Sequence, residues 1–321
     1  MSFTDKIKNY ILFDCKMDAV GIAPASAFDA EEPNHRPDYI LPGCKSVIVF
    51  AKRIPTGVIQ AAFRKVEDGN ENAGGIYNTY GRELMPNMNI FFMQFNIAQF
   101  IERTFGYTAV PCPSGPMQNV TPGNVPMPAF VGSKRIEYLI HSERAAYAAG
   151  LGDIAWNNML VTKENGPRQT VGIILTNMEL EYDEPYSGEK LCDPEKCGIC
   201  AKLCPTCAIP ASGGEKETYS VAGKTVEVAK INANACAVAS MAFRKEFSGK
   251  FNAPDQIMTN DPTDDEIKAA YKTKPISHYT LDHYPKHFCG NKCMIYCPLG
   301  NWEENFGKTG LSRFDGKELS K

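Results

Sequence analysis

The apolar and polar positions in the first part of the chain follow patterns that predict a mixed α/β fold. Apolar residues at helical spacing predict a helix over residues 4–17. Two short apolar runs that are partly β-branched, 19–23 and 46–51, predict buried strands. Between the strands and the next helix, the polar, glycine-rich segment 66–76 predicts a loop.

The middle of the chain adds more elements and one unusual segment. The pattern predicts a helix over 87–104, a strand over 107–110, and a helix over 142–149 that Gly150 ends. Residues 107–133 carry no charge and contain six prolines, so they form neither a helix nor a central strand. A loop of this length is either disordered or packed against other residues, and the Val, Met and Phe content favours packing.

Two further strands and a hairpin complete the pattern. Residues 159–162 and 169–176 are expected to be two strands of one sheet, and 218–231 a hairpin that turns near Ala222. The composition changes from Ser187 onward. We therefore predict a first domain over 1–186, a second over 187–308 and a charged tail over 309–321.

Composition and charge narrow the class of protein. The chain has 321 residues, of which 43% are apolar and 22% charged, which is typical of a globular protein. The net charge of −3 argues against a broad nucleic-acid-binding surface. The N-terminus has no signal-peptide pattern and no twin-arginine pair, and the longest uncharged stretch that resembles a membrane span, 84–101, contains five Asn and Gln. A cytoplasmic protein without a membrane contact is the expectation.

The number and the positions of the cysteines are the most informative feature of the sequence. There are twelve, and nine of them lie between Cys192 and Cys297. A secreted disulfide scaffold is usually short and rich in cysteine throughout. This distribution in a long chain favours metal ligands over disulfides.

The spacing of these cysteines indicates iron–sulfur clusters. The first run ends in Cys-Pro, and so does a second run of three cysteines. In two-cluster ferredoxins the cysteine before that proline ligates the other cluster, and Cys236 can supply the missing eighth ligand. The first ligand set is therefore Cys192, Cys197, Cys200 and Cys297. The second ligand set is Cys204, Cys236, Cys289 and Cys293. Zinc sites and disulfides are the alternatives, and Cys207 is left over.

Several motifs carry a family resemblance over roughly residues 15–305. The segments 148–162, 166–168 and 175–180, followed by the cysteine run, resemble the corrinoid domain of reductive dehalogenases. Epoxyqueuosine reductases share this layout, and residues 18–23 and 80–83 are similar to theirs. Cys236 also lies where that family places an isolated ligand.

The resemblance implies a fold and cofactors. It implies a nitroreductase-like α/β (α+β) corrinoid-binding domain, followed by a ferredoxin-like domain with two [4Fe–4S] clusters. Cobalamin would be the corrinoid, and electrons would pass through the clusters to its cobalt. The implied cofactor-binding residues are Gly150, Leu151, Gly152, Asn157, Asn158, Leu160 and Thr162. For the two glycines, the alternative is an ordinary helix end.

A reductase of this type needs a proton donor, and the resemblance points to five candidate catalytic residues: Tyr80, Arg82, Tyr138, His141 and Arg144. Tyr80 and Arg82 could instead form a surface turn with an ion pair. Tyr138 and His141 could make buried structural hydrogen bonds, and Arg144 could form an exposed helix salt bridge.

Three functions are consistent with the sequence. The first is a corrinoid-dependent iron–sulfur reductase of a small organic substrate, dehalogenase-like in mechanism and served by a low-potential donor such as ferredoxin or flavodoxin. The second is an epoxyqueuosine reductase acting on tRNA. The Val-Asp-Ser-x-Pro-Val motif of those enzymes is missing before residue 148, and the negative charge also disfavours tRNA. The third is an electron-transfer protein without a corrinoid.

Overall fold

Helices and strands are interleaved along the chain, which confirms a mixed α/β architecture. The computed structural model describes residues 1–68, 71–77, 79–81, 89–112, 114–115, 130–131, 134–135, 140–240, 243–248, 255–273, 289 and 291–300. The helices in these ranges are α1 Phe3–Asn9, α2 Pro37–Ile40, α3 Thr56–Asp68, α4 Glu71–Ile76, α5 Ile90–Phe105, α6 Ser142–Ala148, α7 Ile199–Lys202, α8 Ala233–Ser240, α9 Lys245–Ser248, α10 Asp264–Thr273 and α11 Lys292–Ile295. The strands are β1 Ala19–Pro24, β2 Ser46–Arg53, β3 Ala109–Cys112, β4 Ser114–Gly115, β5 Phe130–Val131, β6 Lys134–Arg135, β7 Ile140–His141, β8 Asp153–Ile154, β9 Leu160–Val161, β10 Gln169–Thr176, β11 Lys216–Val221 and β12 Lys224–Ala229.

The central element is a four-stranded antiparallel sheet in the order β1-β2-β10-β3. The strands predicted over 19–23, 46–51 and 169–176 are confirmed. The strand predicted over 107–110 forms as β3, slightly later in the chain. It contains Pro111, which has no N–H to donate, and it lies at the edge of the sheet, where a proline is tolerated.

Both faces of the sheet are covered. Alternate residues of β2 point to opposite sides: Val47 and Val49 join one core with the side chains of α6, whereas Ile48 and Phe50 join another with α1 and α5. On the α6 side the packing is close, because a Cβ on Gly21 would lie 2.0 Å from the carbonyl oxygen of Ala149. Gly21 therefore allows the end of α6 to rest directly on β1.

Three sequence predictions are corrected by the structure. The described residues of the segment 66–76 are not a loop, because α3 extends to Asp68 and residues 71–76 form α4. The strand near 159–162 does not share a sheet with β10, because β9 pairs with β8 in a separate two-stranded ribbon. The helix expected over 4–17 is α1, continued by a π-helical turn at Tyr10–Asp14.

The later part of the chain consists of short helices and one hairpin. Strands β11 and β12 form the predicted hairpin and turn at Ala222 and Gly223, both at positive φ. Their Val221 and Val228 join the core between the sheet and α6, so the hairpin packs on the first part of the chain. No helix in the described ranges is long and apolar enough to cross a membrane. Much of the uncharged segment 107–133 lies outside the described residues.

Candidate functional site

Short helical turns present the cysteines of the two ligand sets. Cys200 lies on α7, Cys236 on α8 and Cys293 on α11, and the other members lie in the loops beside these helices. Both α7 and α11 begin after a residue in the left-handed region, Gly198 at φ 63° and Asn291 at φ 57°. These turns bring three separate parts of the chain together.

The cysteines of the first ligand set are electrostatic neighbours. Burial, and to a smaller extent the three other thiols of the set, raise the pKa of the Cys200 thiol to about 12. The pKa of Cys297 is also raised to about 12, first by burial, with contributions from Cys192 and Cys197. Cys297 thus lies near cysteines of the first run, and its membership of the first ligand set stays a prediction.

The cysteines of the second ligand set are also electrostatic neighbours of one another. Burial raises the pKa of the Cys293 thiol well above its usual range, and all three other members of the set add to the effect. Cys200 of the first set contributes as well, so the two sets adjoin. Cys207 is exposed and does not appear among these neighbours. Among the described residues, no group of three or more His, Cys, Asp and Glu side chains is arranged to hold a single metal ion.

Backbone N–H groups and the side chain of Asn157 form hydrogen bonds with the cysteines of the two ligand sets. The Trp156 N–H donates to Cys192 Sγ at 3.3 Å, and the Ala208 N–H donates to Cys204 Sγ at 3.2 Å. Asn157 Nδ2 donates to the Cys293 carbonyl at 3.2 Å. N–H groups directed at sulfur are typical of iron–sulfur sites, where they influence the reduction potential.

A cavity of about 320 Å³ opens beside the first ligand set. Its lining includes Cys192 and Trp156, together with charged side chains such as Lys190 and Lys216. Cys192 thus lines a cavity that is open to the protein surface.

A second group of chemically interesting side chains lies at the start of α6. We call it the α6 polar network; its members are Glu31, His35, His141, Ser142, Glu143, Arg144 and Tyr219. Arg144 Nη1 lies 2.5 Å from Glu31 Oε2, and its guanidinium stacks over the ring of Tyr219 at 3.7 Å. The expectation of an exposed helix salt bridge for Arg144 is wrong, because this ion pair is buried.

Glu143 is the second carboxyl of this network. It is 1% exposed, and burial raises its pKa to about 7. Ser142 Oγ donates to its Oε2 at 3.3 Å, whereas its Oε1 is buried without a hydrogen-bond partner. Glu31 adds a like charge, and Glu31 already takes the direct contact with Arg144. Glu143 is therefore a carboxyl that can hold a proton near neutral pH.

His141 stacks on His35 with ring centroids 4.8 Å apart. Burial, and to a smaller extent the nearby Arg144 and His35, lower its pKa to about 3. Its Nδ1 is buried without a hydrogen-bond partner, so the neutral ring offers an unused nitrogen. A neutral histidine can accept or relay a proton but is a poor store for one at neutral pH.

Most of the predicted cofactor-binding residues are engaged in contacts within the chain. Gly150 adopts φ +78° after α6, and a Cβ there would lie 2.5 Å from the carbonyl oxygen of Glu184. Gly152 has the same close approach to the Val161 carbonyl. Asn158 accepts from the Tyr219 hydroxyl at 3.1 Å and donates to Glu217 at 2.7 Å. The chain's own packing thus accounts for these residues.

The other four members of that set show the same pattern. Asn157 holds the Cys293 carbonyl, Thr162 Oγ1 accepts from the Asn165 N–H at 3.1 Å, and Leu160 is buried in the core with Leu151 against it. Their contact with a corrinoid stays a prediction.

The remaining predicted catalytic residues are only partly described. Tyr80 is 49% exposed. Arg82 and Tyr138 lie outside the described residues. Sequence analysis did not identify Glu143, Glu31 or Tyr219. The sequence did contain one signal for them: residues 145–149 of α6 are small or apolar on every side of the helix. A helix of this kind is buried, and the polar residues next to it in the chain are buried with it.

Comparison with known proteins confirms the resemblance expected from the motifs. The chain is 30% identical over 142 residues to the tetrachloroethene reductive dehalogenase of Dehalobacter restrictus (strain DSM 9455 / PER-K23), a match of 44% of this chain and 21% of that protein. It is 36% identical over 80 residues to the epoxyqueuosine reductase of Atelocyanobacterium thalassa (isolate ALOHA), a match of 25% of this chain and 24% of that protein. The matched regions thus span about a fifth to a quarter of these relatives, both of which are named as reductases. No family model matches the chain.

Solved structures of both kinds are also similar to the chain. A catabolic reductive dehalogenase in complex with 3-bromo-4-hydroxybenzoic acid matches 87% of this chain and 35% of that chain, with 15% identity and a TM-score of 0.44. An epoxyqueuosine reductase with a tRNA-Tyr stem loop matches 64% and 53%, with 18% identity and a TM-score of 0.40. Both TM-scores are too low to assign a shared fold.

Proposed function

We propose that the chain is a corrinoid-dependent iron–sulfur reductase that cleaves a small organic substrate in a dehalogenase-like reaction. The net reaction takes two electrons and one proton: the carbon–halogen bond breaks, the halide leaves and a carbon–hydrogen bond forms. The proposed arrangement is a nitroreductase-like part that holds the corrinoid, followed by a ferredoxin-like part. When bound, the clusters would supply one-electron carriers and the corrinoid a reducible cobalt.

One observation supports this proposal: cysteines from separate parts of the chain lie close together, because Cys192, Cys200, Cys204 and Cys293 pack against the same apolar cluster, and Cys236 and Cys289 act on buried Cys293. Each proposed set has four thiols, and a backbone N–H is directed at one sulfur of each set, at Cys192 in the first and at Cys204 in the second, which fits two [4Fe–4S] clusters. Because Cys200 neighbours both sets, electrons have a short path between them.

The α6 polar network contains buried acceptor atoms that a bound polar ligand would satisfy. Glu31, His141 and Glu143 each bring a buried acceptor atom without a hydrogen-bond partner. A corrinoid carries amide groups around its ring that donate hydrogen bonds to such acceptors. The residues that would hold it are those of this network and of segment 150–162.

Glu143 is our candidate for the proton store of the reaction. Burial disfavours the charged form and raises the pKa of its carboxyl to about 7, so a large share of the carboxyl holds a proton at neutral pH. The guanidinium of Arg144 stays close to Glu31, which leaves Glu143 without a direct counter-ion among the described residues. His141, neutral and with an unused ring nitrogen, would serve as a relay and not as the store.

Anaerobic reconstitution of the full chain tests this proposal. With iron and sulfide, we expect a broad iron–sulfur absorption and iron for two [4Fe–4S] clusters. Addition of cobalamin is then expected to give a bound-corrinoid spectrum that changes on reduction. Iron–sulfur absorption without any cobalamin binding would contradict the corrinoid part and favour the electron-transfer alternative.

The epoxyqueuosine reductase function is the second candidate, because relatives with that name match the chain. A substrate comparison separates the two. The reconstituted protein would be given a panel of halogenated aromatic compounds and, in parallel, a tRNA bearing epoxyqueuosine. We expect halide release in the first assay; conversion of the tRNA alone would replace the dehalogenase-like proposal.

A further inference from the structure

Arg168 joins the first part of the chain to the last cysteine of the first ligand set. It is 6% exposed and lies just before β10. Its Nη1 donates to the Cys297 carbonyl at 2.9 Å and to the Met294 carbonyl at 3.3 Å, and its Nη2 donates to the carbonyl of Leu299. One guanidinium therefore holds the backbone on both sides of Cys297.

Two glycines make this arrangement possible. A Cβ on Gly300 would lie 2.6 Å from Arg168 Nη2, and a Cβ on Gly166 would lie 2.8 Å from the same atom. The backbone therefore surrounds the guanidinium closely on two sides. A side chain packed in this way is fixed in position, and so is its charge.

The charge of Arg168 acts on the Cys297 sulfur. The guanidinium lies beside this residue, because Arg168 Nη1 donates to the Cys297 carbonyl at 2.9 Å. Arg168 is buried, and an arginine side chain keeps its charge at neutral pH. A fixed cation in a poorly solvated site interacts strongly with a nearby change of charge.

We infer that the fixed charge of Arg168 raises the reduction potential of the cluster held by the first ligand set. This inference rests on the proposed function. A reduced cluster carries one more negative charge than an oxidised one, so a buried cation beside Cys297 stabilises the reduced form. Its effect is expected on that cluster far more than on the one held by the second set.

The test is a redox titration of the reconstituted full chain, followed by electron paramagnetic resonance of each cluster. We expect R168Q, which removes the charge, to lower the midpoint potential of one cluster and to leave the other near its original value. R168K, which keeps the charge, should retain most of that potential. K190Q is the matched control, because exposed Lys190 also lies near a thiol of the first set, and water screens its charge.

The variants separate a charge effect from a purely structural one. A structural role predicts that R168K and R168Q shift the potential alike, since both lose the fork that binds three carbonyls; that result would overturn the inference. If R168Q takes up no iron, Arg168→Ala can be reconstituted with guanidinium or with urea, which match in shape but differ in charge. A higher potential with guanidinium is expected, and equal potentials would overturn the inference.

The same measurements distinguish this inference from the proposed function. A wild-type chain that forms no cluster contradicts both. A wild-type chain with two clusters, combined with R168Q potentials equal to those of the wild type, contradicts the role of Arg168 alone.

Discussion

Glu143 is the residue whose ionisation we expect to influence stability most clearly. Its pKa is about 7 in the folded chain against 4.5 for an ordinary glutamate, because burial favours the neutral form. A raised carboxyl pKa stabilises the fold fully below the unfolded pKa, and this contribution is lost as the pH rises through the folded pKa. Glu143→Gln stays neutral, so its stability relative to the wild type should rise by about 2 to 3 kcal/mol from about pH 5 to pH 8.

Urea unfolding of both proteins across this pH range measures the effect. Glu164→Gln makes the same chemical change at an exposed position and serves as the control. Its difference from the wild type should stay nearly constant with pH. A Glu143→Gln curve parallel to that of the wild type would mean that the carboxyl is charged throughout.

Sequence analysis identified His141 and Arg144 but not the carboxyl between them. The helix pattern alone did not say that α6 is buried, because this burial comes from Gly21 on β1 and from the hairpin that packs on the same core. Arg144 therefore meets Glu31 and Tyr219, which are distant in the chain. Periodicity describes one element at a time and does not predict such pairs.

At the scale of elements, the end of α6 depends on Gly150. The Gly150 N–H donates to Tyr147 and the Leu151 N–H to Ala146, which closes the helix around a left-handed glycine. An alanine there would adopt an unfavourable backbone conformation and would also meet the carbonyl of Glu184. We expect Gly150→Ala to lower the free energy of unfolding by roughly 2 to 5 kcal/mol.

Gly106 is the matched control for this substitution. It ends α5 with φ 73°, and no atom lies within 4 Å of the position of its Cβ. Gly106→Ala should therefore cost only the backbone strain, about 1 to 2 kcal/mol. Urea unfolding of the two variants measures the difference, and equal losses would show that the contact with Glu184 adds nothing.

The central strands and the main helices followed from pattern, but α4 did not. Its sequence contains two glycines and an asparagine, which local propensity assigns to a loop. In the fold, Gly74 lies against the aliphatic part of Lys65, where a Cβ would come within 2.9 Å. The glycine thus allows α4 to approach α3 closely, and packing overrides propensity.

At the scale of the whole molecule, the two ligand sets connect distant parts of the chain. Spacing alone suggested the exchange of Cys204 and Cys297, because a cysteine before proline often serves the other cluster. Spacing could not suggest that Trp156, Asn157 and Arg168 support these cysteines. Their contacts depend on how segment 156–168 lies against both runs.

Cys236 and Cys207 give the sharpest test of this whole-molecule arrangement. Cys236 lies on α8, far in sequence from both runs, and its charge acts on buried Cys293. Cys207 lies only three residues after Cys204 but is exposed, and its N–H donates to the Cys204 carbonyl. We expect Cys236→Ser to lose one cluster and about half of the iron, whereas Cys207→Ser keeps both clusters. Iron and sulfide analysis with electron paramagnetic resonance measures this. If Cys207→Ser lost a cluster and Cys236→Ser kept both, Cys207 would replace Cys236 in the second ligand set.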